Sequence, residues 1–493
     1  MMIRIRNTTS AIFLRDKYLS FHDFEWKMNS ILIRNGLLVT MSKYGVISNG
    51  AVYIEGNRIR LIGKSKEVEE ECSPEKVIDA SGMAVLPGLI NTHSHLYQSF
   101  LRGMVDTAPL VNWCEEALYP FCRMALEDAI AGDDRLVYYS TLLSCVEALK
   151  SGTTTIVAME GVIQGPAVIK ALKNAGIRGI YALTLADKWI RRDIILPTEW
   201  ALKRSENLIK KYGEKDKISF MLAPSTPFCC SRGLLKKIVD IAEKHGVGIH
   251  IHVGETRYEV DNMKQRVGMG PLEYINSLGL LDVHPFVAVH CIWLDDKEIR
   301  ILKEKNAGVS HNPESNMKLA SGIAPVKKML NLNIPVGLAT DGPASNDNLD
   351  MFEEMRTAAL LHKVSSLDPS IISATDVMMM ATKLGAKVLG MDKEIGSIEP
   401  GKKADIILVN LMKPHIQPLS DIFRTLVYCA KGSDVDTVIV DGRIVVRHGK
   451  LLTIDEEELL RKVMKIAEEK LSKLDEYRKP REPIKESDLQ ALS

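Results

Sequence analysis

Between residues 30 and 85, apolar and polar positions alternate in short runs broken by glycine turns: Ile31-Leu32-Ile33, Gly36–Thr40, Gly50–Ile54 and Ile59–Ile62. A period of two over so few residues predicts strands, and the turns between them predict a small antiparallel sheet. The same texture returns at Ile395–Glu399, Ala404–Val409, Val435–Val440 and Arg443–Val446. Neither set has enough strands to cover a core alone, so residues 29–85 and 394–450 are expected to meet in one β-sandwich.

Between these ends the pattern changes to strand-length apolar runs alternating with segments of helical period. Strands are read at Thr153–Ala158, Gly179–Leu185, Ile218–Ala223, Val247–His252, Phe286–His290, Gly308–Ser310 and Val336–Ala339. Helices are read at Arg135–Lys150, Pro166–Ala175, Thr198–Tyr212, Ser231–His245, Asp295–Asn306, Val326–Leu332 and Leu349–His362. With the run that ends at His93, this makes eight β/α units, the size and rhythm of a closed parallel (β/α)8 TIM barrel over residues 86–393. The fold class is therefore α/β, with the small β-sandwich as a second body. A further helix is read over Asp376–Leu389. Residues 451–493 are taken as a C-terminal helix, Asp455–Leu474, and a polar tail, Asp475–Ser493, expected to fray. Residues 1–28 read as an N-terminal extension, and Met28, just ahead of the first strand, is an alternative start.

Composition narrows the function classes. A chain of 493 residues, 46% hydrophobic and 26% charged, can bury a large core. Its formal charge is only +1, with Lys and Arg scattered among Asp and Glu, so neither nucleic acid nor an anionic membrane is expected as partner. No apolar run approaches the roughly 20 residues of a membrane helix. Eight cysteines without C-x-x-C spacing argue against a disulfide framework and a cysteine zinc site, and point to the reducing cytoplasm.

The chemistry gathers at strand ends. His93 and His95 close the run Pro87–His95, and an i, i+2 spacing on a strand turns both rings to one side. His-x-His alone is a weak signal. Further groups end three other runs: His252, with Glu255 three residues on, His290, and Asp341. The C-terminal ends of barrel strands are where such a fold carries its chemistry. His93, His95, His252 and Asp341 are read as ligands of one divalent ion, Zn²⁺ first and Fe²⁺ second, with room left for water. Coordination lowers the pKa of water from about 15.7 to roughly 7. Asp341 would take a proton from that water, Glu255 would carry it to a substrate ring nitrogen and then to the leaving group, and His290 would hydrogen-bond the attacking oxygen. The fourth strand ends in Ala223-Pro224-Ser225-Thr226, without a lysine to bridge a second metal. Gln98 and Trp113 are candidate contacts to a flat heterocycle, and His311 is a candidate for the pocket wall. His250 shares a face with His252 one layer deeper and is read as barrel filling.

These stretches carry a resemblance. Pro87–Gly103, His252–Thr256, His290–Leu294, His311–Val326, Thr340–Lys363 and Gly396–Asp405 resemble the amidohydrolase superfamily. The branch is that of the S-adenosylhomocysteine/methylthioadenosine deaminases, the guanine and 8-oxoguanine deaminases and the triazine hydrolases such as atrazine chlorohydrolase. The resemblance implies a distorted (β/α)8 barrel, a mononuclear Zn or Fe site, hydrolysis of an exocyclic group on an N-heterocycle, and homo-oligomers of two or more subunits. It implies for His93, His95, His252, Glu255, His290 and Asp341 the roles already read from the residues. Two departures bear on substrate. The glutamate that adenosine-type members place after a proline is absent at Tyr119-Pro120-Phe121-Cys122, and no arginine stands in Ala182–Leu185. Both favour a bare base or small heteroaromatic amine over a nucleoside of the methylthioadenosine type. Asp341-Gly342 replaces the Asp-Asn of the chlorohydrolase, which makes dechlorination or N-dealkylation secondary to deamination. A non-catalytic barrel serving as a binding subunit is the reading from a different class.

Overall fold

The computed structural model describes residues 30–188, 190–213 and 217–492; the extension read over residues 1–28, and Met28 with it, lie outside the described residues. The chain begins with β1 (Ser30–Val39), β2 (Val46–Glu55), β3 (Arg58–Lys64), β4 (Lys76–Asp79) and β5 (Met83–Pro87). The barrel follows with β6 (Leu89–Ser94), β7 (Thr153–Gly161), β8 (Arg178–Leu185) and β9 (Ile218–Pro224). It continues through β10 (Gly248–Val253), β11 (Phe286–His290), β12 (Gly308–His311) and β13 (Val336–Leu338). The chain then returns to the first sheet with β14 (Ile406–Asn410), β15 (Val435–Val440), β16 (Arg443–Arg447) and β17 (Lys450–Leu451).

The two ends do meet, hydrogen-bonded edge to edge in one continuous sheet. Its order is β17-β16-β15-β14-β5-β1-β2-β3, with β4 also on β1, and the join is the antiparallel pair β14 and β5, Ile406 opposite Pro87 through Asn410 opposite Met83. The sheet is not the purely antiparallel one expected. The helix Ser65–Glu70 carries the chain back across the sheet, so β4 and β5 both run parallel to β1. The sheet closes on its own apolar face, where Ile33, Leu38, Ile54, Ile59, Ile406 and Leu408 form one buried cluster.

In the barrel, eight parallel strands neighbour one another in chain order from β6 to β13. Because β13 is only three residues long, the seam between β13 and β6 is closed by side chains. Asn91 Nδ2 donates to Thr340 Oγ1 at 2.7 Å, Thr340 N donates back to Asn91 Oδ1 at 3.2 Å, and Thr92 Oγ1 donates to Leu338 O at 3.0 Å. One main-chain bond, Asp341 N to His93 O at 3.2 Å, lays the aspartate directly beside the first strand. The outer helices start where the sequence places caps: Ser231, Thr256 and Asp295 each accept a hydrogen bond from an amide of the first turn.

Two further expectations are corrected. The helix read over Asp376–Leu389 is two helices, Ala374–Ala381 and Lys383–Val388, broken at Thr382 (φ −131°, ψ −97°), whose hydroxyl bonds back to Met378 O at 2.6 Å. The tail does not fray. Leu489 is fully buried, and arginines Arg123, Arg191 and Arg204 donate to the main-chain carbonyls of Glu482, Tyr477 and Leu492. A polar composition reads as solvated only when side chains are considered; here the backbone supplies the partners. Among the described residues no helix is long and apolar enough to cross a membrane.

Candidate metal centre and active site

Four strand ends converge. His93 Nε2 lies 3.1 Å from Asp341 Oδ1, and His95 Nε2 lies 3.6 Å from the same oxygen. The nearest donor atoms of His93, His95 and His252 fall within 4.8 Å of one another, and so do those of His93, His290 and Asp341. The rings of His93 and His95 are 4.7 Å apart and nearly perpendicular, as are those of His93 and His252 at 4.9 Å.

The surroundings select the form of each donor that a cation requires. His95 Nδ1 pairs with Met159 O at 2.8 Å and His252 Nδ1 with Ser225 O at 2.7 Å. A carbonyl only accepts, so these bonds place the proton on Nδ1 and turn an Nε2 lone pair inward. Burial holds the imidazoles of His93, His95 and His252 below their ordinary pKa and hence neutral. Burial alone would raise Asp341, but the hydrogen bond to His93 and the adjoining imidazoles hold it well below the usual carboxylate range. Neutral imidazoles with one ionised carboxylate form a nitrogen/oxygen set that fits Zn²⁺ or Fe²⁺. Ser315 Oγ donates to Asp341 Oδ2 at 2.7 Å and the Gly342 amide to Oδ1 at 2.8 Å, fixing the carboxylate. The backbone is strained here: Asp341 has φ 62° and His290 φ 70°, left-handed values rare for residues with a Cβ.

Glu255 faces His290 across the cluster, Oε2 to Nε2 at 3.6 Å, and burial raises its carboxyl pKa. Gly254, at φ 61°, makes the turn that brings Glu255 back over the mouth, and its carbonyl accepts the amides of Ile292 and Trp293. Ser321 Oγ reaches Glu255 Oε1 at 3.4 Å, and Glu259 Oε2 accepts the Glu255 amide at 3.0 Å. His290 Nδ1 pairs with Asn316 Oδ1 at 2.8 Å, which orients its ring. No role was read for Ser315, Asn316, Ser321 or Glu259 from the sequence. The first three lie in the quoted stretch His311–Val326, whose Pro313 opens the helix Pro313–Lys318 beside the site, and that helix start was the available signal.

A cavity of about 620 Å³ opens above the cluster. His95, His252, Glu255, His290, Asp341, Gln98 and Trp113 all line it. His311 does not. Its ring is turned to His362 on the helix Met351–Ser366, Nε2 to Nε2 at 3.1 Å, and sealed behind the wall, because the alternation of β12 sends Ser310 inward to Thr92 and His311 to the opposite face. His250 is also buried, stacked on His93 at 5.0 Å with its Nε2 3.3 Å from Thr92 O. Gly342 has a steric reason: a Cβ there would stand 2.0 Å from Gln98 Oε1 and 3.1 Å from His95 Cβ. The glycine lets Gln98 lie against the turn beside Asp341.

A parallel barrel with a buried imidazole and carboxylate cluster at the C-terminal ends of its strands defines a hydrolase of the metal-dependent barrel class. Comparison with known proteins gives the family: residues 84–445 match the model of the amidohydrolase family, and the chain belongs to it. It is 39% identical over 447 residues to the 5-methylthioadenosine/S-adenosylhomocysteine deaminase of Pelotomaculum thermopropionicum, spanning 89% of this chain and 98% of that protein. It is 41% identical over 453 residues to the 5'-deoxyadenosine deaminase of Methanosarcina mazei, spanning 91% and 100%. Among solved structures, an adenosine deaminase from Xanthomonas campestris with bound zinc superposes with a TM-score of 0.83 at 28% identity, over 90% of this chain and 98% of that one.

Proposed function

We propose that the chain is a metal-dependent aminohydrolase that removes an exocyclic amino group from an N-heterocycle, carried as a nucleoside with an apolar 5′ group. The observation that carries the reading is the pairing of a neutral-imidazole and carboxylate cluster with a buried acid, Glu255, on the wall of one cavity. His93, His95, His252 and Asp341 would hold one divalent ion, zinc first; the bound zinc of the Xanthomonas relative supports that choice. Such an ion supplies Lewis acidity, which makes water a competent nucleophile near neutral pH. Asp341 accepts the proton of the attacking water. Glu255, whose carboxyl pKa burial raises, delivers a proton to the ring nitrogen, and the two protons of the attacking water, the first by way of Asp341, then complete the departing ammonia and restore Glu255. His290, with Nδ1 fixed by Asn316, directs Nε2 toward the attacking oxygen.

The substrate reading is reordered from that drawn from sequence. A missing carboxylate after Tyr119-Pro120 favoured a bare base. Relatives near 40% identity bear nucleoside deaminase names, and a cavity of about 620 Å³ is of the size that takes ligands larger than a purine ring. Its far walls are apolar, with Leu126, Ile163, Ile194 and Leu196, which suits a 5′-deoxy or 5′-methylthio group. A reduced cytoplasmic setting goes with eight unpaired cysteines, and a homo-oligomer is kept as part of the reading. Ammonia release from adenine, 5'-deoxyadenosine, 5-methylthioadenosine, guanine and an aminotriazine, with zinc-replete protein, tests it. Turnover is expected for the nucleosides first; chloride or alkylamine release from a triazine without any deamination would overturn it.

A further inference from the structure

The polar C-terminal segment is built into the back of the cavity. We propose that residues Tyr477–Leu492 set the selectivity of its apolar end, acting as positioning residues through the walls in front of them. The proposal rests on the aminohydrolase reading for the identity of the substrate, not for the geometry.

Three pieces of chain form that end of the cavity: the helix Tyr119–Ile130, through Leu126, the short turn after β7, through Ile163, and the loop after β8, through Arg191, Ile194 and Leu196. The tail joins them. Ile484 and Leu489 share one buried cluster with Leu126 and with Ile163, another cavity-wall residue, and Leu492 packs on the same cluster beside Ile194 and Leu196. Arg123 Nη1, on the helix, donates both to Asp193 O of the loop at 2.6 Å and to Glu482 O of the tail at 2.8 Å. Arg191 grips Asp193 through Nε and Nη2 at 2.9 and 2.6 Å and donates through Nη1 to the tail carbonyls of Tyr477 and Arg478. The tail returns the bond: Arg481 N donates to Asp193 Oδ2 at 2.9 Å, and the Tyr477 hydroxyl and the Arg481 guanidinium both reach Glu127 on the helix.

Chemistry follows from this. Arg191 is the cation of the loop on this wall, yet its hydrogen bonds run to Asp193 and the tail, so its charge is already matched and its donors largely spent. The apolar end therefore takes a short neutral substituent and disfavours a charged one. The metal-binding end hangs on strand ends and seam bonds that the tail does not touch. Loosening the tail should change how the substituent binds and leave the heterocycle end alone.

The experiment uses the full chain carrying Ile484→Ala and Leu489→Ala, with steady-state kinetics on adenine and on 5-methylthioadenosine. Expected is a fall of about tenfold in kcat/KM for the nucleoside, carried by KM, with adenine held within about twofold, the scale of a lost apolar contact. Equal losses on both compounds, or none on either, would overturn the proposal. Calorimetric binding of the same two compounds separates it from the reading beneath it. Protein that binds them without ammonia release refutes deamination, while the shift in their binding ratio still decides the role of the tail. If the double variant fails to fold, Leu489→Val must move the same ratio in the same direction, and an unmoved ratio counts against the proposal.

Discussion

Two buried charged clusters stand at opposite ends of the barrel, and they are built to different rules. At the junction with the mixed sheet, Arg178 at the start of β8 donates to both oxygens of Asp405 at 2.7 and 2.9 Å and to Asp441 Oδ1 at 3.0 Å. Asp405 Oδ1 also accepts the Asp441 amide at 2.7 Å. At the mouth, by contrast, His93 Nδ1 is buried without a partner among the described residues, and Asp341 and His290 hold left-handed backbone. A buried charge with every bond made serves the fold; buried donors left open, on strained backbone, are arranged for a ligand.

The contrast can be broken from either side. The largest effect is expected at the mouth. Glu255→Gln should lower turnover by about 10²–10⁴ while leaving metal content and melting temperature near wild type. An active variant would remove the acid role. At the junction, Arg178→Met leaves two carboxylates facing each other in the interior. A loss of about 3–5 kcal/mol in unfolding free energy is expected, with kcat/KM per folded molecule unchanged. Denaturant titration beside kinetics reads both, and a stable but inactive variant would erase the distinction.

Much of this architecture was legible in the chain, and the reason differs from part to part. The helices Arg135–Lys150 and Thr198–Tyr212 and the strand Phe286–His290 fall on the residues read from periodicity, because long amphipathic or apolar segments advertise their period. The gathering of His93, His95, His252, Glu255, His290 and Asp341 at one mouth was legible because each closes an apolar run or follows its end closely. The parallel direction of β4 and β5, the break at Thr382 and the docked tail were not, since each depends on a partner distant in sequence. His311 misled because it also ends a strand; Ser310 is the residue there that faces inward, and the ring of His311 meets His362 on the opposite face.

Smaller effects sharpen the comparison. Asn316→Ala removes the nearer partner of His290 Nδ1, leaving Asn312 Nδ2 at 3.4 Å, and should reduce activity by roughly 10–100-fold with little change in stability. A drop below twofold would show that the ring needs no such guide. A last effect is one of pH. Burial lowers the Lys217 pKa to about 8 from an ordinary 10.5, with Asp441 and Asp405 opposing the shift and Arg443 and Arg178 adding to it. The unfolded chain then holds the extra proton between those values, so this group makes the fold more stable as pH rises from about 8 to 10.5. Lys217→Met should flatten that slope in pH-dependent unfolding, and an unchanged slope would assign it to other groups.

The central claim is that one ion is held jointly by His93, His95, His252 and Asp341. Metal content of extensively dialysed protein, measured by inductively coupled plasma mass spectrometry, addresses it most directly. The account predicts one equivalent of zinc or iron per chain in the wild type and in Glu255→Gln, and close to none in a His93→Ala/His95→Ala variant that still melts cooperatively. Wild-type protein that takes up no divalent metal on reconstitution, or a double variant that keeps its full equivalent, would contradict it.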